Sequence, residues 1–104
     1  MNNSDIKILL VDDEPDILEI VGYNLKNEGY KVYTSTNGIE AVKSAKKIIP
    51  DLILLDIMMP EMDGIEACEK IRTIKNLENT LIAFLTARNE DYSKVAGFDA
   101  GADD

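Results

Sequence analysis

Residues 6–15, Ile6-Lys7-Ile8-Leu9-Leu10-Val11-Asp12-Asp13-Glu14-Pro15, decide the fold. Apart from Lys7 the first six are apolar, the pattern of a strand covered on both faces. Three acids follow, and Pro15 suits the first turn of a helix. The alternation continues along the chain. Val32–Thr34 reads as a short, weak strand, Leu52–Leu55 as a wholly apolar one, and Leu81–Leu85 as a fourth. Ile17, Leu18, Val21 and Leu25 recur at helical spacing, so a helix is expected over Pro15–Glu28, with Gly29 as its stop. Asn37 is placed to cap a second helix with Glu40 three residues on; Ala41, Val42, Ala45, Ile48 and Ile49 line its face until Pro50. A third helix starts near Gly64 with Ile65, Cys68, Ile71 and Ile74 in period. A fourth follows Asn89, carries Tyr92, Val95, Ala96 and Phe98, and stops by Gly101.

Strands of this kind alternating with amphipathic helices predict an α/β domain, a doubly wound parallel sheet. Ligands of such sheets sit at the carboxyl ends of the strands. Asp12, Asp13 and Glu14 follow the first strand, Asp56 ends the third, and Thr86 and Ala87 end the fourth. These positions share one edge, so they are expected to converge on one shallow pocket.

Composition narrows the chemistry. The 104 residues hold 45% hydrophobic residues, enough for one domain with a core and too few for two. There are 20 acidic against 11 basic residues, a formal charge of -9 and a pI near 4.4. That charge repels phosphate backbones and anionic lipids, so neither DNA nor membrane binding is expected of this stretch, and a cytoplasmic location is the expectation. With no histidine, histidine-dependent hydrolases, histidine-ligated metals and internal phosphohistidine relays are excluded. Cys68 is the single cysteine and reads as a small buried hydrophobe. Met58, Met59 and Met62 read as core filler, and Lys70, Arg72 and Lys75 as a solvated helix face.

Chemistry must therefore run on carboxylates. Asp12, Asp13 and Asp56 brought together crowd like charge, which calls for a compensating cation; Mg2+ takes oxygen ligands and bridges carboxylates to phosphate. An aspartate beside such an ion can attack phosphorus in line and form an acyl phosphate. Taken singly, an Asp-Asp-Glu run is as readily a helix cap, and Thr86 an ordinary strand end.

Four blocks in order change that balance: residues 8–15 above, Leu54-Leu55-Asp56-Ile57-Met58-Met59-Pro60-Glu61-Met62-Asp63-Gly64, Leu85-Thr86-Ala87, and Gly101-Ala102-Asp103-Asp104. Together they resemble the receiver domains of two-component response regulators, most closely those of winged-helix transcription factors. The resemblance covers the whole chain. It implies a flavodoxin-like strand order 2-1-3-4-5, with residues 1–104 forming a receiver domain that stops before the fifth strand and fifth helix. It implies Asp56 as phosphoacceptor; Asp13, Asp12, Asp56 and the Met58 carbonyl as holders of Mg2+ or Mn2+; Thr86 as switch hydroxyl; and small Ala87 as room for the phosphoryl group. The resemblance also places Met58 and Arg88 where side chains in that family tune the phosphoryl lifetime.

The implied partner is a sensor histidine kinase, which supplies the phosphohistidine. DNA is reached only through an output domain, no membrane is engaged, and the chain is no enzyme beyond its own phosphorylation and dephosphorylation. Without a fifth strand, Leu81–Leu85 is expected to be an open edge and Ile17, Val21 and Leu25 to be uncovered, with a homodimer as one way to restore cover. Phosphohydrolases with an aspartyl-phosphate intermediate are the rival reading. They need an acid two residues after the nucleophile, where this chain has Met58. A phosphorylation-independent interaction module is the second rival, against which the acids and Thr86 stand.

Overall fold

A computed structural model describes residues 3–85 and Asp103. The elements run β1 (Lys7–Val11), α1 (Pro15–Asn27), β2 (Lys31–Ser35), α2 (Gly38–Ile48), β3 (Leu52–Leu55), α3 (Gly64–Arg72) and β4 (Leu81–Phe84), with 3-10 turns at Asn3–Asp5 and Lys75–Leu77. The four strands are parallel in the order β2-β1-β3-β4, as expected of a doubly wound sheet. The expected fourth helix lies outside the described residues.

Local chemistry sets the ends. Pro15 opens α1, and the chain leaves it through Gly29 at φ 97°. The Asn37 side chain accepts a hydrogen bond from the Glu40 backbone N–H at 2.8 Å, and Asp63 does the same for Glu66, also at 2.8 Å. Each thereby satisfies a first-turn N–H that has no partner within the helix. Leu85 extends the β4 ladder by one bond to the Leu55 carbonyl at 3.0 Å.

Several expectations are corrected. Ile49 leaves the α2 face: it takes a left-handed backbone (φ 52°) and is exposed, because Pro50 next to it disfavours helical geometry. Ile74 lies past the end of α3 and packs beside the core from the following loop. Only β1 has Ile8, Leu9, Leu10 and Val11 all buried. β2 is an edge strand with only Ser35 buried; in β3 burial alternates, with Ile53 and Leu55 on the covered side, and in β4 only Ile82 is buried. The core lies on the α2–α3 side, where Leu9, Val11, Ile53, Leu55 and Ile82 meet Ala41, Ala45, Ala67, Cys68 and Ile71.

The β4 edge is not bare. Asp103 donates its backbone N–H to the Ile82 carbonyl (2.9 Å), and its carboxylate accepts the Ile82 N–H (2.9 Å). The same carboxylate oxygen takes Arg72 Nη2 at 2.6 Å, and Arg72 Nη1 donates to the Thr80 carbonyl at 2.7 Å. Arg72 is thus a tie between α3, the loop before β4 and Asp103, rather than part of a solvated face. On the α1 side, Ile17, Val21 and Leu25 are half-buried rather than uncovered, while Ile20 and Tyr23 are the exposed ones.

This layout fixes where truncation should hurt. Leu9→Ala is expected to cost about 2–5 kcal/mol through lost burial and a cavity in the core. Ile20→Ala, at an exposed position, should stay within about 0.5 kcal/mol of the parent. Urea denaturation of both variants checks the contrast.

Candidate functional site

Between β1 and β3 the sheet reverses its winding, because β2 lies on one side of β1 and β3 on the other. Loops leaving the two central strands diverge there and open a crevice. The ladder runs one residue into it: the Asp56 N–H donates to the Val11 carbonyl at 2.9 Å, while the Asp12 N–H donates to Ser35 at 3.2 Å. Asp12 and Asp56 are therefore neighbours at the head of the sheet, 3% and 4% exposed, with exposed Asp13 beside them.

One carboxylate oxygen from each of Asp12, Asp13 and Asp56 lies within 4.8 Å of the others. The Asp12 carboxylate also accepts the Glu14 backbone N–H at 2.8 Å, and Asp56 Oδ1 faces the Met58 N–H at 3.4 Å. Burial pushes the Asp12 carboxyl above the usual aspartate value, and the charges of Asp56, Asp13 and Glu14 add to the rise; the bond from Glu14 N–H partly offsets it.

Such a donor set fits a hard divalent cation. Mg2+ holds its oxygen ligands at about 2.0–2.1 Å, so the three carboxylate oxygens, within 4.8 Å of one another, would draw inward to hold one ion. All three donors are carboxylate oxygens, as that ion prefers. A cleft of about 440 Å³ adjoins them, lined by Asp13, Glu14, Met58, Met59, Pro60 and Asp63.

The sequence-predicted residues sort as follows. Asp12, Asp13 and Asp56 are brought together. Met58 and Met59 line the cleft, but the methionine cluster divides: Met59 is buried in the core, Met62 packs partly against it, and Met58 is 54% exposed. Thr86, Ala87 and Arg88 lie outside the described residues. Cys68 is fully buried with its thiol pushed up to about 11 by burial, which suits an unreactive hydrophobe. The reading by motif passed over Pro60 and Asp63 as cleft walls; the only signal was their place between Asp56 and the cap of α3.

Comparison with known proteins agrees with this geometry. The family model described as "Response regulator receiver domain" matches residues 8–104. The alkaline phosphatase synthesis transcriptional regulatory protein PhoP of Bacillus subtilis is 48% identical over 98 residues, covering 94% of this chain. The chain spans only 40% of that regulator's length. Among solved structures, Vibrio cholerae chemotaxis protein CheY4 superposes with TM-score 0.88 at 35% identity, covering 93% of this chain and 81% of its own. The receiver domain of a Pseudomonas aeruginosa sensor histidine kinase, which has a magnesium ion coordinated in its active site cleft, gives TM-score 0.87 at 34% identity, covering 95% of this chain and 81% of that one. Among the described residues no helix is long and apolar enough to cross a membrane.

The raised Asp12 value has a testable sign. Folding favours protonated Asp12, so its contribution to stability is fully present below the unfolded value of 3.8 and is lost as pH rises through the higher folded value. Asp12→Asn is therefore expected to be more stable than the parent at neutral pH without metal, and to lack that part of the fall with pH. Urea midpoints across the acid range in chelator check it.

Proposed function

This chain belongs to the response regulator receiver family, and from that premise we propose that Asp56 accepts a phosphoryl group while Asp12 and Asp13 hold a divalent cation beside it. The chain is a receiver domain of two-component signalling. The observation that carries the proposal is the meeting of three carboxylates at the switch point, with Asp56 at the end of a central strand and a cleft lined by Asp13 beside them.

Mg2+ or Mn2+, when bound, neutralises the carboxylates and the equatorial phosphoryl oxygens. Asp12, Asp13 and Asp56 would supply the carboxylate ligands, and the Met58 carbonyl would complete the protein's share. An Asp56 carboxylate oxygen attacks phosphorus in line. As the new P–O bond forms, the P–N bond to the donor kinase's phosphohistidine breaks, and the imidazole nitrogen keeps the electron pair and takes a proton. With acetyl phosphate the P–O bond to acetate breaks instead. By resemblance to the family, Thr86 is the hydroxyl assigned to the new oxygens and Ala87 the small residue assigned beside them.

The phosphoryl group stays on the chain, so the reaction is a signal rather than turnover of substrates. By resemblance to the family, phosphorylation biases a two-state equilibrium of the domain, with Thr86 as the link. Likeness to a transcriptional regulatory protein supports a role in transcription control through a DNA-binding output domain, in the cytoplasm, with a sensor histidine kinase as donor.

Two measurements test this. Asp56→Asn should abolish acid-labile phosphorylation by acetyl phosphate and Mg2+, seen by mass spectrometry as loss of the phosphoryl adduct, with the fold retained; unchanged labelling would sink the assignment. Asp13→Asn should weaken Mg2+ binding by about tenfold or more, whereas Glu14→Gln should change it less. Titration with the opposite order would move the metal site.

A further inference from the structure

Helices α2 and α3 both begin on a buried glycine, Gly38 and Gly64. Glycine is a poor helix former, weaker than alanine by about 1 kcal/mol. Backbone freedom does not explain the choice, because neither residue has a positive φ. Space does. A Cβ on Gly64 would stand 2.9 Å from both the Asp56 carbonyl carbon and Ile57 Cα, and nearer still to the Asp56 carbonyl oxygen. A Cβ on Gly38 would stand 2.9 Å from Met62 Cβ and Cγ, and nearer still to the Met62 carbonyl oxygen. Gly22 of α1 is the contrast: its nearest neighbour would be Leu10 Cδ2 at 3.9 Å, ordinary contact.

Both crowded glycines press on one segment, residues 56–62, from two helices. Its backbone is held at further points: Gly64 N–H to Ile57 carbonyl and Met62 N–H to Pro60 carbonyl, each 2.8 Å, with Glu61 at φ 67° between them. That segment carries Asp56 and Met58. We propose that Gly38 and Gly64 are positioning residues for the acceptor site: their missing side chains let α2 and α3 close on the β3–α3 segment and hold Asp56 and the Met58 carbonyl within reach of Asp12 and Asp13. The inference rests on reading Asp56 as the acceptor and Asp12–Asp13 as cation ligands. Gly38 is the more telling residue, since Gly64 directly follows the segment in the chain whereas Gly38 reaches it only through the packing of α2.

The test compares Gly38→Ala with Gly22→Ala in this chain, using Mg2+ titration, labelling by acetyl phosphate, and urea denaturation. On helix propensity alone both alanines would be neutral or stabilising. Gly38→Ala is expected to unfold cooperatively yet bind Mg2+ about tenfold more weakly, the scale on which groups that orient metal ligands act, and to label more slowly. Gly22→Ala should match the parent in both. Adding Met62→Ala to Gly38→Ala removes the side-chain half of the clash and should recover part of the Mg2+ affinity. Should Gly38→Ala not fold, Met62→Ala alone slackens the same brace and should weaken Mg2+ binding in the same direction. Parent-like Mg2+ affinity in the folded Gly38→Ala chain, or in Met62→Ala where that is the test, overturns the inference, as does an equal loss in Gly22→Ala. A parent chain that neither binds Mg2+ nor labels would overturn the acceptor reading itself, and this inference with it.

Discussion

The hydrogen bond from the Asp56 N–H to the Val11 carbonyl is the constraint on which the site and much of the core depend. In a parallel ladder, sliding β3 by one residue would turn Ile53 and Leu55 out of the core and swing Asp56 away from Asp12. The register is held at the other end of the strands as well. Lys7 and Asp51 exchange bonds of 2.8 Å, backbone to carbonyl and backbone to carboxylate, and Lys7 Nζ reaches the Ile48 carbonyl at 2.8 Å. The left-handed turn at Ile49 delivers Asp51 to that point. Both ends of the central pair are pinned, so the carboxylates meet by geometry rather than by attraction, which their charges oppose.

That opposition is the energetic signature of the site. Burying Asp12 and Asp56 beside Asp13 works against stability in the metal-free chain, and the raised Asp12 carboxyl registers it. The fully buried aliphatic side chains of the α2–α3 face, Leu9, Ile53, Leu55, Ile71, Leu77 and Ile82, supply the offsetting term. A cation then gains more from this site than from solvated acids, because the repulsion it relieves is already in place.

Much of this was legible in the sequence. The continuous apolar run of β1 announced a strand covered on both faces, and the placement of Asp12, Asp13 and Asp56 after strands followed from the parallel-sheet rule alone. Asn37 as cap was readable because its partner Glu40 stands at the right spacing. What escaped was whatever depends on tertiary neighbours. Whether β3 is covered equally on both faces is not encoded in four apolar residues, and the separate fates of Met58, Met59 and Met62 depend on how the loop folds over the core. Arg72 looked solvated because its partners, the Thr80 carbonyl and Asp103, are 8 and 31 residues away. The roles read for Thr86 and Ala87 come from motif resemblance.

The places where the chain departs from its locally best choices are informative in the same terms. A sequence that specifies one fold satisfies local preference nearly everywhere, and departures gather at functional sites. Here they are the buried carboxylates of Asp12 and Asp56, the left-handed Glu61, the helix-opening glycines Gly38 and Gly64, and the left-handed Ile49. All but Ile49 converge on the segment between β3 and α3 or on the acids beside it. Ile49 serves the register from the opposite end of the sheet. Local cost is thus concentrated along one line, from the Lys7–Asp51 exchange through β3 to the cleft. That line sets where Asp56 stands, while the surrounding helices keep to ordinary caps and apolar faces.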